Sequence, residues 1–84
     1  MGKRRQRVAQ WWESLIAGDK VVLTYTDQFV GYPIGSVGHF VSRDGGGLKI
    51  ECPDSRQYIF SDAHWARYLS EEQRSEIVNK WNSR

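Results

Sequence analysis

Asp44-Gly45-Gly46-Gly47 lies between two segments of β character, Gly35 to Arg43 (GSVGHFVSR) and Leu48 to Cys52 (LKIEC), and this arrangement commits the middle of the chain to a hairpin. A two-residue hairpin turn needs positive φ at its central positions, which glycine adopts without steric cost. In the second segment Leu48, Ile50 and Cys52 alternate onto one face, the period of a half-buried strand. Further short strands are predicted on either side. Lys20 to Thr26 (KVVLTYT) is β-branched and aromatic, and Arg56 to Phe60 (RQYIF) follows a tight turn at Pro53-Asp54-Ser55. Between the first two strands Asp27 to Gly35 (DQFVGYPIG) reads as an irregular loop, with Pro33 holding Tyr32 extended.

The ends of the chain have helical signals. From Arg4 to Ala17, Val8, Trp11, Trp12, Leu15 and Ile16 recur at helical spacing, and Gly18 follows as a C-cap. Adjacent residues on a helix point about 100° apart, so a narrow stripe buries one of Trp11 and Trp12 and leaves the other at its margin or exposed. Ser61 or Asp62 caps a short turn through Ala63, His64 and Trp65, leading to a brief last strand or a continued turn up to Leu69. Ser70-Glu71-Glu72-Gln73 is a capping box that opens a C-terminal helix with Ile77, Val78 and Trp81 on its apolar side.

With 84 residues there is chain enough for one domain, 1–84, divided into a basic tail and amphipathic helix (1–17), a β body (18–69) and a C-terminal helix (70–84). Short strands joined by tight turns are expected to curl into a small antiparallel barrel, because closure removes exposed edges. Parity places Val21, Leu23, Val37, Val41, Leu48, Ile50, one of Tyr58 and Ile59, Leu69 and Leu15 in the core, unless a bulge near Gly38 reverses it.

Gly18-Asp19-Lys20-Val21 entering one strand and Gly35-Ser36-Val37-Gly38-His39-Phe40-Val41 in the next resemble the G-D-x-V … G-x-x-G-x-V pattern of SH3-like barrels, particularly their KOW-type members. The resemblance covers residues 18 to 69 and implies a mainly β fold, an SH3-like barrel with one helix before it and one after. KOW-type barrels include RNA-contacting and protein-contacting members, so it implies binding rather than catalysis. Phe40 stands where that pattern has Val, and the strands have few basic residues.

The chemistry points the same way. Cys52 with His39 or His64 is the only Cys/His combination, and Cys52 is in phase with the buried face of its strand, so it reads as an ordinary buried cysteine. These three soft ligands lack the paired spacing of a zinc site, and the glycine run lacks the Lys-Ser/Thr and helix of a phosphate loop. No catalytic residue, metal, cofactor or small-molecule substrate is expected. No uninterrupted apolar run exceeds three residues, so no membrane span is expected, and with a basic N-terminus that has no apolar segment a cytoplasmic location is expected.

Two binding functions remain. The first is a protein-binding module or accessory subunit that docks its partner through Tyr25, Asp27, Phe29 and Tyr32 of the long loop, with Trp65 as a further wall. The second is an RNA- or single-strand-binding barrel that uses Lys3, Arg4, Arg5 and Arg7 of the tail with Arg43, Lys49 and Arg56 of the body for phosphates, and loop aromatics for stacking. The charge distribution weighs against the second. The net charge is +2, but the four tail cations precede any acidic residue and leave eight basic against ten acidic residues over 8–84.

Overall fold

A computed structural model describes residues 9–84. Lys3, Arg4, Arg5, Arg7 and the first turns of the expected N-terminal helix lie outside the described residues. Lys20–Leu23 (β1), Val37–Asp44 (β2), Gly47–Glu51 (β3), Gln57–Phe60 (β4) and Trp65–Arg67 (β5) form one antiparallel sheet, in the order β4-β3-β2-β1-β5. The hairpin lies where the glycines require it: Asp44 pairs with Gly47, and Gly45 and Gly46 take φ of 56° and 87°. That pair of positive values suits a primed turn, whose twist matches that of the strands it joins.

The sheet does not close, which overturns the SH3-like, KOW-type barrel. Among the described residues β4 pairs only with β3 and β5 only with β1. Closure would need a ladder between these edges, but they are four and three residues long and a 3-10 turn, Asp62–His64, carries the chain from one to the other. Their contact is through side chains instead, with the Phe60 ring edge-on to Trp65 at 5.2 Å. The architecture is a mixed α/β fold: an open five-stranded sheet, a 3-10 turn before it and a helix after it.

The first helix also shortens. Within the described residues it is a single 3-10 turn, Trp11–Ser14, flanked by Gln10 and Leu15 in extended conformation. Glu13 closes the turn by accepting the Gln10 N–H at 3.0 Å. Leu15 then enters the core, Ile16 is exposed, and both tryptophans are half-buried, with the Arg43 guanidinium 5.6 Å from the Trp12 ring. The C-terminal helix Glu71–Asn82 (α1) starts where the capping box placed it. Ser70 Oγ accepts the Gln73 N–H, while the Gln73 side chain accepts from the Leu69 N–H and donates to the Arg67 carbonyl, which ties α1 to β5.

The core is Leu15, Val21, Leu23, Phe40, Leu48, Ile50 and Trp65, with Val22 and Cys52 also buried. Val37 and Val41 are only half-buried, because Gly38 and Phe40 face inward and a register shift between Phe40 and Ser42 changes the phase of β2. Gly38 is required by packing: a Cβ there would lie 2.7 Å from Ile50 Cγ2 and 2.9 Å from the Glu51 carbonyl oxygen. Tyr58 and Ile59, one of which is expected inside, are both exposed, and so is Leu69. The first two belong to an edge strand, and Leu69 to the linker before α1.

Candidate binding groove

The loop between β1 and β2 is closed at its neck, where the Leu23 N–H donates to the Ser36 carbonyl and the Gly35 N–H to the Leu23 carbonyl. Within it Asp27 makes an Asx turn: Oδ1 accepts the Phe29 N–H at 2.9 Å, and the Asp27 carbonyl accepts the Val30 N–H. This short local cap fixes the backbone under Phe29, so its ring projects outward with 84% of its surface exposed. Two residues beyond Val30 the chain turns back, and the Thr26 hydroxyl donates to the Tyr32 carbonyl across the loop.

Tyr32 spans the gap to the neighbouring turn. Its hydroxyl donates to the Asp54 carboxylate, 3.0 and 3.1 Å from the two oxygens, and Oδ1 of Asp54 also accepts the Arg56 N–H. Loop and turn are thereby strapped together. Desolvation first, and then the bond to Asp54, push the Tyr32 phenol well above its ordinary range. Desolvation works the other way on Asp54 by disfavouring its charge, but the Arg56 N–H, the Tyr32 hydroxyl and the Arg56 guanidinium outweigh it and hold the carboxyl below the usual value.

Opposite the loop stands β4. Together they enclose a groove of about 610 Å³, lined on one bank by Asp27 and Phe29–Tyr32, on the other by Tyr58–Phe60, and at its end by Asp54 and Arg56. The volume is within the range of ligand-binding clefts. Tyr58 and Phe60 meet nearly perpendicular at 6.3 Å, and Phe60 in turn meets Trp65. This aromatic cluster is exposed at Tyr58, half-buried at Phe60 and buried at Trp65, so it joins the surface to the core.

Of the loop residues expected to bind a partner, Asp27, Phe29 and Tyr32 line the groove. Tyr25 lies behind it, its ring 5.4 Å from His64 and edge-on to Trp81 of α1 at 5.7 Å. Its carbonyl bonds His64 Nδ1 at 2.9 Å, and because a carbonyl only accepts, that nitrogen carries the proton. Trp65 backs Phe60 from within the core. Sequence reasoning missed Ile59 and Phe60 as groove residues, brought Tyr58 to the loop aromatics only through a closed barrel, and favoured a solvated turn for Asp54. An edge strand has no signature of its own in RQYIF, although the Asp54 turn was visible.

The expected phosphate contacts are dispersed among the described residues. Arg43 covers Trp12 on the core side of the sheet near the hairpin, Lys49 is on the opposite face beside Ser42 and Ile59, and Arg56 stands at the far end of β4, 3.8 Å from Asp54. Cys52 is buried, and burial first raises its thiol pKa, so it is no ready nucleophile. Among the described residues no group of three or more His, Cys, Asp or Glu side chains could hold a metal ion, and no helix is long and apolar enough to cross a membrane. Compared with known proteins, the chain matches no family model, no curated protein and no solved structure.

Proposed function

We propose that the protein is a non-catalytic binding module, an accessory or regulatory subunit that docks a protein partner in the groove between the β1–β2 loop and β4. One observation carries the reading: Phe29 is almost fully exposed on a loop that an Asx turn and the Tyr32–Asp54 strap hold in place, and it lines the same groove as the exposed Tyr58. Apolar side chains presented on both banks of a braced cleft give contact area with little ordering cost on binding. The carboxylates of Asp54 and Asp27 outnumber the single guanidinium of Arg56 in the groove, which disfavours a phosphate backbone in the same place.

Phe29→Ala and Tyr58→Ala, made singly, test this by thermal melting beside recovery of bound proteins from extract. The expected result is a melting temperature close to the parent's for Phe29→Ala and loss of the recovered partner in both. Retained partners together with a lower melting temperature in both variants would show that these rings serve the fold.

A further inference from the structure

The two edges of the sheet differ in a way that bears on what the groove holds. β5 has only three residues, and the Arg67 carbonyl at its end is occupied by the Gln73 side chain. Among the described residues no side chain bonds the outer backbone groups of β4 in this way. The Cys52 N–H donates to the Arg56 carbonyl at 2.7 Å, which sets the phase of the β3–β4 ladder. Because hydrogen-bonded and non-hydrogen-bonded pairs alternate in antiparallel strands, Ile50/Tyr58 and Leu48/Phe60 are the bonded pairs, and Gln57 and Ile59 turn their N–H and C=O groups away from β3. These four groups have no partner among the described residues.

Natural edges are usually blunted by lysine, proline or a bulge. Gln57-Tyr58-Ile59-Phe60 contains no lysine or proline, and its pairing with β3 runs without a register shift. Its last three residues, Tyr58, Ile59 and Phe60, also line the groove. The opposite bank, Phe29–Tyr32, lines the same groove, so a strand added to β4 at the usual spacing of about 4.8 Å would run along the groove beside the loop.

Charge narrows the occupant. Asp54 is engaged by Tyr32 and Arg56, but the Asp27 carboxylate accepts only the Phe29 N–H and has no ion pair among the described residues. We propose that the groove takes an extended peptide segment bearing lysine or arginine, which adds to the free edge of β4 as a sixth strand and sets its cation against Asp27. This rests on the docking function above and specifies its mode: main-chain bonds at Gln57 and Ile59 supply affinity, and the rings and Asp27 select alternate side chains.

Proline substitution tests the mode directly. Ile59→Pro removes an N–H that β3 does not use, so the native ladder survives while the added strand loses a donor. Peptides are selected on the protein from a displayed library of random dodecapeptides, with Phe29→Ala/Tyr58→Ala protein as the counter-selection. The expected peptides contain Lys or Arg, weaken by about tenfold or more on Ile59→Pro and on Asp27→Asn, and slow hydrogen exchange at the Gln57 and Ile59 amides of the unmodified protein. The exchange measurement decides the matter if Ile59→Pro fails to fold. Peptides that need Phe29 and Tyr58 but leave those amides unprotected would overturn strand addition and leave the docking function standing. Failure to enrich any peptide over the counter-selection overturns both. Protection of the same amides in a peptide-free dimer would make a second copy of the chain the occupant and sink the proposal.

Discussion

Replacing Gly38 by alanine puts the packing of the sheet to a quantitative test. The new Cβ would point into the core from β2, 2.7 Å from Ile50 Cγ2, 2.9 Å from the Glu51 carbonyl oxygen and 3.4 Å from Trp65 Cη2. Neither of the two closest atoms can swing away, since one is a β-branched methyl on a fully buried residue and the other is backbone of the paired strand. Overpacking of this kind costs about 1–3 kcal/mol, while the lost freedom of the unfolded chain returns about 0.4–1 kcal/mol. Two contacts under 3.0 Å at once put the cost in the upper half of that range, so a net loss of about 1–2.6 kcal/mol is expected, which for a domain of this size lowers the melting temperature by about 4–21 °C. Circular dichroism melts of parent and Gly38→Ala protein, with urea unfolding to give the free energy, provide the measurement. A variant as stable as the parent would refute the inward phase of Gly38 and the register of β1, β2 and β3 with it.

Three further outcomes follow from the same structure. Ile50→Ala, at a fully buried position, should cost about 2–5 kcal/mol in urea unfolding, and a loss below about 1 kcal/mol would contradict the core. Ser70→Ala should cost about 1 kcal/mol by uncapping α1, with the loss seen as fraying of the Gln73 and Arg74 amides in hydrogen exchange. The Tyr32–Asp54 strap should depend on pH at both extremes. Asp54 is depressed in the folded chain, so its contribution is full above the ordinary carboxyl value of 3.8 and is lost as pH falls through the folded value. Tyr32 is raised, so its contribution is full below 10.0 and is lost as pH rises through the folded value. A Tyr32 phenol that ionises at or below 10.0, followed by ring chemical shifts, would show that the strap is absent.

What the sequence discloses about this fold is mostly what local chemistry decides. Gly45 and Gly46, the alternation of Leu48, Ile50 and Cys52, and the serines that cap the last two helical turns are each read from neighbours within a few residues, and the structure has them in those roles. Long-range decisions are hidden. Whether β4 and β5 would pair depends on how the Asp62–His64 turn crosses between them, and the sequence alone does not reveal that they remain edges. The burial errors at Ile59 and Val41 have the same origin, one from an edge and the other from the shift beyond Phe40. The loop residues Asp27, Phe29 and Tyr32 were legible because the loop is long, aromatic and braced by Pro33. Their opposite bank was not, since it comes from a strand distant in sequence and Trp65 turned inward.

A nitrogen–proton correlation spectrum of the protein, titrated with a dodecapeptide selected as above, tests the central claim that the groove is the docking surface. The account predicts saturable shifts confined to residues 27–32, Asp54, Arg56 and Gln57–Phe60, with the outward face of α1 unmoved. Shifts centred instead on α1 and β5, with residues 27–32 and 57–60 unchanged at saturation, would contradict it.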